Sequence, residues 1–425
     1  MSDEPSIFKK EVKMSEIIVV GGGAAGMMSA IAAAENGAKV LLLEKNDRLG
    51  RKLGITGKGR CNVTNNCDMQ TLQENIPNNA RFLYGAFSRC SPQDVMAFFE
   101  GLGVPLKTER GRRVFPVSDK AADIVNALTR RLGELNVEVR RENVRSLILE
   151  NGECKGVNTH GGQFRAKAVI LATGGASYPK TGSDGFGYTL AKQAGHTVTE
   201  PRPSLCPLVT EEKWVGRAAG LTLKNAAVKL MCDNKTIYED FGELMFTNDG
   251  VSGATVLSAS AHIPSGAESR CSLIIDLKPA LDEKKLDARI LRDLEALRGK
   301  TFSESLRKLL PKELAEPFSE LLEIPLEKRI DEINKNERKS LVKTLKNLCL
   351  HVRSFRPIDE AIVTRGGVTV GEISPKTMES RLCKGLFFAG EIIDADGYTG
   401  GFNLQIAFST GELAGTASAD FVKNI

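Results

Sequence analysis

Two kinds of apolar pattern alternate along the chain. Ile17-Ile-Val-Val20 and Lys39-Val-Leu-Leu-Leu43 are short continuous apolar runs, as expected of strands covered on both faces. Between them Ala24 to Asn36 is alanine-rich and is closed by Gly37, which predicts a helix. Residues 17–44 therefore form one predicted strand–helix–strand unit. Pro92–Gly101 and Lys120–Leu132 carry amphipathic helical spacing, whereas Val137–Val139, Val144–Glu150 and Gly156–Thr159 alternate as strands. Ala168-Val-Ile-Leu171 is a further buried strand running into Thr173-Gly174-Gly175. The texture changes at Pro201-Arg-Pro203 to short strands with turn signals (Leu221–Met231, Thr236–Tyr238, Ser272–Leu277). From Pro279 to Leu350 it changes again, to mixed-charge helical segments, and after Arg356-Pro357 the glycine-and-strand texture of the first segment returns. The expected organisation is a leader over 1–13, a discontinuous nucleotide-binding domain over 14–202 and 351–425, an inserted β domain over 203–278, and a helical subdomain over 279–350.

Composition narrows the classes. Glycine is over-represented, 41 of 425 residues against a usual share of about 7%. The formal charge of +5 neither demands nor forbids an anionic ligand. Ala280 to Leu350 carries 16 Lys and Arg against 14 Asp and Glu, so the helical segment is not a basic nucleic-acid face, and no nucleic-acid partner is expected. Nine scattered cysteines without a Cys-x-x-Cys exclude a disulfide framework, a structural zinc site and a dithiol redox motif. Four histidines, none at helical pair spacing, leave no metal site expected. The apolar stretch Ile17–Leu43 is broken by three glycines, Glu35, Asn36 and Lys39, so no membrane span is expected. Residues 1–13 lack an apolar signal core and are expected to be disordered, with Met14 an alternative start; a reducing, cytoplasmic location follows.

The chemistry begins at Gly21-Gly-Gly23-Ala-Ala-Gly26, a Gly-x-Gly-x-x-Gly directly after a strand and opening a helix. Such glycines serve the tight turn, backbone approach to a pyrophosphate and close helix–strand packing. The helix N-terminus offers N–H groups and a positive dipole end to phosphates. Glu44 ends the next strand 18 residues after Gly26, where a carboxylate accepts from a ribose hydroxyl. Dinucleotide binding follows. The C-terminal segment selects FAD over a nicotinamide alone. Gly385-Leu-Phe-Phe-Ala-Gly390-Glu391 with Asp394 puts carboxylates beside ribityl hydroxyls, and Gly400-Gly401 opens a second helix whose N–H groups can face the flavin ring.

The run Gly50-Arg-Lys-Leu-Gly-Ile-Thr-Gly-Lys-Gly-Arg-Cys-Asn-Val-Thr-Asn65 closely resembles the signature of a bacterial family of NAD(P)/FAD-dependent oxidoreductases. That family includes aminoacetone oxidase and BaiN-type bile-acid flavoproteins. Gly111-Arg-Arg-Val-Phe-Pro116, Gly174-Gly-Ala-Ser-Tyr-Pro179 and the Gly390–Gln405 segment match the same family, so the resemblance spans residues 14–425. A wider resemblance links Ala172–Gly175, Thr181–Gly185, Gly366–Val368 and Ala389–Glu391 to fumarate-reductase-type flavoproteins, but the cap region differs, so that group's catalytic arginine and histidines are not placed on this sequence and its fumarate chemistry is not carried over. The implied fold is α/β: a discontinuous glutathione-reductase-type (Rossmann-like) FAD domain with an inserted β-barrel-like domain and a helical subdomain. The resemblance implies that Gly21, Gly23, Ala24, Ala25 and Gly26 hold the pyrophosphate, and that Glu44 and Lys45 sit at the adenosine ribose. Arg51, Lys52, Thr56, Gly57, Arg60, Cys61 and Asn62 would wrap pyrophosphate, ribityl and ring, and Val144 would meet the adenine. Thr173, Gly174 and Gly175 would pass close to the cofactor. Gly390, Glu391 and Asp394 would take the ribityl side, and Gly401, Phe402, Asn403 and Leu404 the isoalloxazine.

The expected activity is two-electron chemistry at flavin N5 on a small organic molecule, as NAD(P)H-dependent reduction of an activated, enone-like or steroid-like C=C. Alternatives are an amine oxidase producing hydrogen peroxide and, from another class, a flavin-containing RNA-binding or tRNA-modifying protein. No second Gly-x-Gly-x-x-Gly marks a separate nicotinamide domain. Catalytic side chains are not identified. Cys61 beside Arg60 is a candidate reactive thiol, set against a small buried residue in a tight loop. Tyr178 is set between proton donor and packing, and His351, Arg353 and Arg356 between a substrate cleft and salt bridges. Arg365 suits either an anionic substrate or a flavin phosphate. Arg110, Arg112, Arg113, Arg130, Arg131, Arg140 and Arg141 are expected on the solvated surface.

Overall fold

The computed structural model describes residues 13–425. The leader expected over 1–13 lies outside the described residues except for Lys13, which with Met14 forms a short strand parallel to Phe164-Arg165. Two compact units emerge: one ends at Pro203 and resumes at Ala361, and the other is Ser204–Glu360.

The first unit is built on a five-stranded parallel sheet. Its strands are β1 (Ile17–Val20), β2 (Val40–Glu44), β3 (Glu138–Arg141), β4 (Ala168–Leu171) and β5 (Leu386–Phe388), in the order β5-β4-β1-β2-β3. The continuous apolar runs of β1, β2, β4 and β5 are buried throughout, because covered parallel strands leave no wet face. The helices α1 (Ala24–Glu35) and α2 (Phe402–Lys423) pack at backbone distance. A Cβ at Gly411 would lie 2.6 Å from the Ala25 carbonyl oxygen, and one at Gly415 would lie 2.3 Å from that of Ser29. A three-stranded sheet joins Thr64–Asn65, Arg113–Pro116 and Leu106–Thr108, in that order.

The second unit is a closed six-stranded barrel. Its strands run, in spatial order, Leu208–Thr210, Gly250–Ser252, Lys235–Phe246, Thr222–Cys232, Cys271–Asp276 and Leu348–Phe355. Helices Glu283–Ala296, Phe302–Leu309, Ala315–Leu322 and Lys335–Lys346 share its core, with Leu286, Phe302, Phe318 and Leu341 in one cluster with Val228 and Leu273. The barrel's last strand runs past residue 351, where the return to the first domain was expected. It must do so to close the barrel, pairing with Cys271–Asp276 on one side and Leu208–Thr210 on the other. The described fold is therefore the expected Rossmann-like α/β domain with an inserted β-barrel and helices.

Candidate functional site

The turn between β1 and α1 divides its glycines by task. Gly21 has a left-handed φ of 105°, and a Cβ there would lie 2.5 Å from the Ala172 carbonyl oxygen. A Cβ at Gly26 would lie 1.8 Å from the Gly21 carbonyl oxygen, so this glycine lets the helix close onto its own entry turn. Gly23 differs: it caps α1 in an extended conformation, and a Cβ there meets nothing within 4 Å. The N-terminus of α1 carries no side-chain cap and no acid in its first turn. Its N–H groups and positive dipole end are thus left for an external anion. Glu44, buried at the end of β2, organises the turn. It accepts from the Gly22 N–H at 2.7 Å, from the Asn46 N–H at 2.8 Å and from Asn46 Nδ2 at 2.7 Å.

The C-terminal half-site meets the same turn. A Cβ at Gly390 would lie 2.7 Å from Ala25 Cβ, so this glycine sits on the first turn of α1. Glu391 accepts from Lys52 Nζ at 2.8 Å, from the Thr364 N–H at 2.8 Å and from Ser177 Oγ at 3.2 Å, while Lys52 also donates to Ser177 Oγ at 2.7 Å. Gly175 passes so close that a Cβ would lie 2.4 Å from Thr364 Oγ1 and 3.1 Å from the Glu391 carboxyl carbon. Around this knot, Asp394 Oδ1, Thr173 Oγ1, Ser183 Oγ and Tyr188 OH are buried atoms without a protein partner. Burial, with Glu391 and Asp394 nearby, raises the Tyr188 hydroxyl's pKa. Buried polar groups are almost always paired, so four such atoms beside one glycine turn mark where a polyhydroxyl ligand would complete them. Open space at Gly23, an uncapped helix N-terminus, and unsatisfied hydroxyl and carboxylate atoms fit FAD.

The Gly50–Asn65 loop contributes unevenly. Arg51 donates to Asn46 Oδ1 at 3.1 Å, and Lys45 pairs with Asp184 at 2.8 Å, next to the Thr173–Gly175 turn's neighbour Ser183. Thr56 Oγ1 donates to the Leu53 carbonyl, and Asn62 Oδ1 accepts from the Val114 N–H, so both fold the loop. Arg60 is engaged by Glu109 and Asp119 and lies over the Phe115 ring, 4.1 Å from its centroid. Gly57, Lys58 and Cys61 have left-handed φ near 60°. Cys61 is fully buried, and burial pushes its thiol up to about 12, as expected of the small buried residue in a tight loop and opposite to an activated thiolate. Val144 is buried at the start of its strand.

At the second helix, Gly401 caps α2 with φ 104° and no side-chain cap, and a Cβ there would lie 2.4 Å from Thr64 backbone atoms. Phe402 is buried and Leu404 half-buried. Asn403 exchanges hydrogen bonds with the Gly397 N–H (2.9 Å) and carbonyl (2.6 Å), so its amide shapes the preceding loop. Arg356 pairs with Asp249 and Glu360, and His351 with Glu212; these side chains make salt bridges within the barrel unit. Arg365 lies 3.6 Å from Asp396. Sequence reasoning missed Asn46, Ser177, Ser183, Tyr188 and Thr364. Only proximity to the Gly174-Gly175 turn or to Lys45 hinted at the first four, and Thr364 carried no signal.

The family described as HI0933-like protein Rossmann domain matches residues 15–417. A 3-dehydro-bile acid Δ(4,6)-reductase from Clostridium scindens is 34% identical over 397 residues, covering 91% of this chain and 94% of that protein. A ribosomal RNA dihydrouridine synthase from Escherichia coli is 28% identical over 376 residues, covering 88% and 90% respectively. Among solved structures, a quinol–fumarate reductase with menaquinol superimposes with a TM-score of 0.54 at 18% identity, over 97% of this chain and 72% of that one, which shows a shared fold. No helix among the described residues is long and apolar enough to cross a membrane.

Proposed function

The chain belongs to the HI0933-like Rossmann family and is an FAD-dependent oxidoreductase, and from that premise we propose that it reduces a C=C bond conjugated to a carbonyl, with NADH or NADPH as electron donor. The observation that carries this reading is the 34% identity, over nine-tenths of the chain, to a reductase whose name gives its substrate a 3-dehydro (3-keto) bile-acid nucleus with double bonds at positions 4 and 6. The second relative's name describes the same bond change: dihydrouridine is uridine with the C5=C6 bond, conjugated to the C4 carbonyl, saturated. One chemistry therefore underlies both names.

FAD, when bound, supplies two-electron hydride chemistry at N5. The chain's part is to hold and tune it. Gly23 and the α1 N-terminus would take the pyrophosphate, Glu44 and Lys45 the adenosine side, and Glu391, Asp394, Thr173 and Ser183 the ribityl chain. Lys52 pairs with Glu391 and donates to Ser177, so the carboxylate that would face the ribityl chain has one orientation. The N-terminus of α2 has no side-chain cap, so its N–H groups and positive dipole end would be free to face negative charge on the flavin ring.

Anaerobic titration of the purified holoprotein with NADH and NADPH, followed by a 3-oxo-4-ene steroid, tests the reading. Bleaching by a nicotinamide and recovery of the oxidised spectrum with loss of the enone are expected. A flavin that neither nucleotide bleaches but that an aminoketone bleaches, with peroxide released once air is admitted, would replace the reductase with the amine oxidase.

A further inference from the structure

We propose that Arg110, Arg112 and Arg113 form an oxyanion-docking lip that binds a carboxylate or phosphate carried by the substrate, beside the turn that opens α2. The inference rests on the reading of α2's N-terminus as the flavin-facing edge, and it adds a substrate class: anionic molecules bearing the conjugated carbonyl.

The placement is set by one side chain. Asn65, buried, donates through Nδ2 to the Gly111 carbonyl and to the Gly400 carbonyl, both at 3.0 Å. The arginine turn and the Gly400-Gly401 turn are therefore tied to the same amide. The Asn66 N–H adds a 2.7 Å bond to the Arg112 carbonyl, and Thr64-Asn65 pairs with Val114 and Arg113 as adjacent strands. Gly401 in turn packs on the Thr64 backbone.

Among the described residues this turn has no acid as an ion-pair partner; Arg113 Nε donates to the Arg110 carbonyl at 3.1 Å, and its guanidinium lies 5.7 Å from the Phe115 ring centroid. All three arginines are exposed, and among the described residues none forms an ion pair. The acids on either side are already committed. Glu109 binds Arg60, with Lys107 at 3.6 Å, and Asp119 binds Lys107 at 2.7 Å and also Arg60. Lys107 and Arg60 hold the Asp119 carboxyl below its usual range, and Arg60 does the same for Glu109. Asp68, which feels Arg112, uses its carboxylate to cap the helix Met69–Glu74 through the Thr71 N–H at 2.8 Å. Gly111 takes its φ of 76° freely, but Arg112 is held in the left-handed region at φ 59°, which costs energy for a residue with a Cβ. Three like charges within four residues, on a strained turn with the neighbouring acids occupied, suit an external oxyanion, which arginine forks bind bidentately.

The test compares the wild-type holoprotein with the triple variant Arg110→Ala/Arg112→Ala/Arg113→Ala. Two probe pairs are used: a 3-oxo-4-ene steroid with a side-chain carboxylate against its methyl ester, and oligouridylate against uridine. Binding is followed by flavin absorbance and by anisotropy. Wild type should prefer at least one anionic member over its neutral partner, and the triple variant should lose roughly tenfold or more of that preference, as expected for lost charge-assisted hydrogen bonds. If the anion is phosphate, the salt slope for oligouridylate should also fall by about 2, near 0.7 per lost contact on a single strand. A preference lost only for the steroid identifies a carboxylate, and one lost only for oligouridylate identifies phosphate. Equal preference in variant and wild type, or no anion preference in wild type, overturns the lip. Should the triple variant lose its flavin, the three single Arg→Gln variants carry the comparison. Turnover of the neutral methyl ester with NAD(P)H is scored separately in wild type, so failure of the enone reading and failure of the lip give different results.

Discussion

Replacing Gly23 with alanine separates cofactor recognition from folding. The backbone there is extended (φ −82°, ψ −169°), which any residue adopts, and the new methyl would meet nothing within 4 Å. Alanine is a poorer helix cap than glycine, but it also restricts the unfolded chain by about 0.4–1 kcal/mol. These effects oppose one another, so the apoprotein's unfolding free energy should stay within about 0.5 kcal/mol of wild type. The same methyl stands where a pyrophosphate would approach the uncapped N–H groups of α1. Displacing the phosphates from one or two charge-assisted hydrogen bonds costs about 2–4 kcal/mol, or roughly 30- to 1,000-fold in FAD affinity. Urea unfolding of apoprotein and FAD titration by flavin fluorescence measure the two quantities independently. Gly26→Ala is the control, because its Cβ would collide with the Gly21 carbonyl oxygen at 1.8 Å and should destabilise the apoprotein itself. Wild-type FAD affinity in Gly23→Ala would mean that the open space is not the phosphate position.

Glu44→Ala should reduce both quantities together, because it strands the buried N–H of Gly22 and removes the partner of the half-buried Asn46 N–H; about 1–3 kcal/mol of apoprotein stability is at stake, and unchanged urea midpoints would refute it. Native thiol labelling should modify Cys349 first, the cysteine that is not fully buried, while Cys61 reacts only on unfolding; early Cys61 adducts on a peptide map would contradict its burial. His196, buried against Glu372, Ser380 and Phe388, has its pKa lowered by burial, with Glu372 opposing. The unfolded chain binds that proton near pH 6.5 while the folded chain resists it, so the stability contribution is complete above about pH 6.5 and drains away as pH falls below it. Unfolding free energies between pH 5 and 8 should show this loss in wild type and less of it in His196→Gln; identical pH slopes would argue against it.

The features legible in the sequence were those that act over a few residues. The β1–turn–α1–β2 unit was readable because buried parallel strands are unbroken apolar runs and because a turn without room for Cβ atoms must be glycine. Glu44 was readable because its distance from Gly26 is set by one helix and one strand. The second helix was readable from Gly400-Gly401 followed by small residues. Longer-range pairing left weaker traces. The barrel's closing strand, Leu348–Phe355, alternates buried and exposed residues like any half-buried strand, and only its partners show that it belongs to the barrel.

Tertiary structure alone decided which of the candidate polar residues act together. Lys52 and Glu391 are 339 residues apart and meet directly at 2.8 Å, with Ser177 bonded to both. Burial, not the neighbouring Arg60, governs Cys61, because Arg60 is drawn away to Glu109 and Asp119. The unpartnered Thr173, Ser183, Tyr188 and Asp394 atoms exist only once the chain has closed around them. The sequence by itself determined a dinucleotide fold, since periodicity and glycine sterics are local. The charge and hydrogen-bond balance of the site, including the arginine turn hung from Asn65, was decided by folding, since it depends on which distant groups have already found one another.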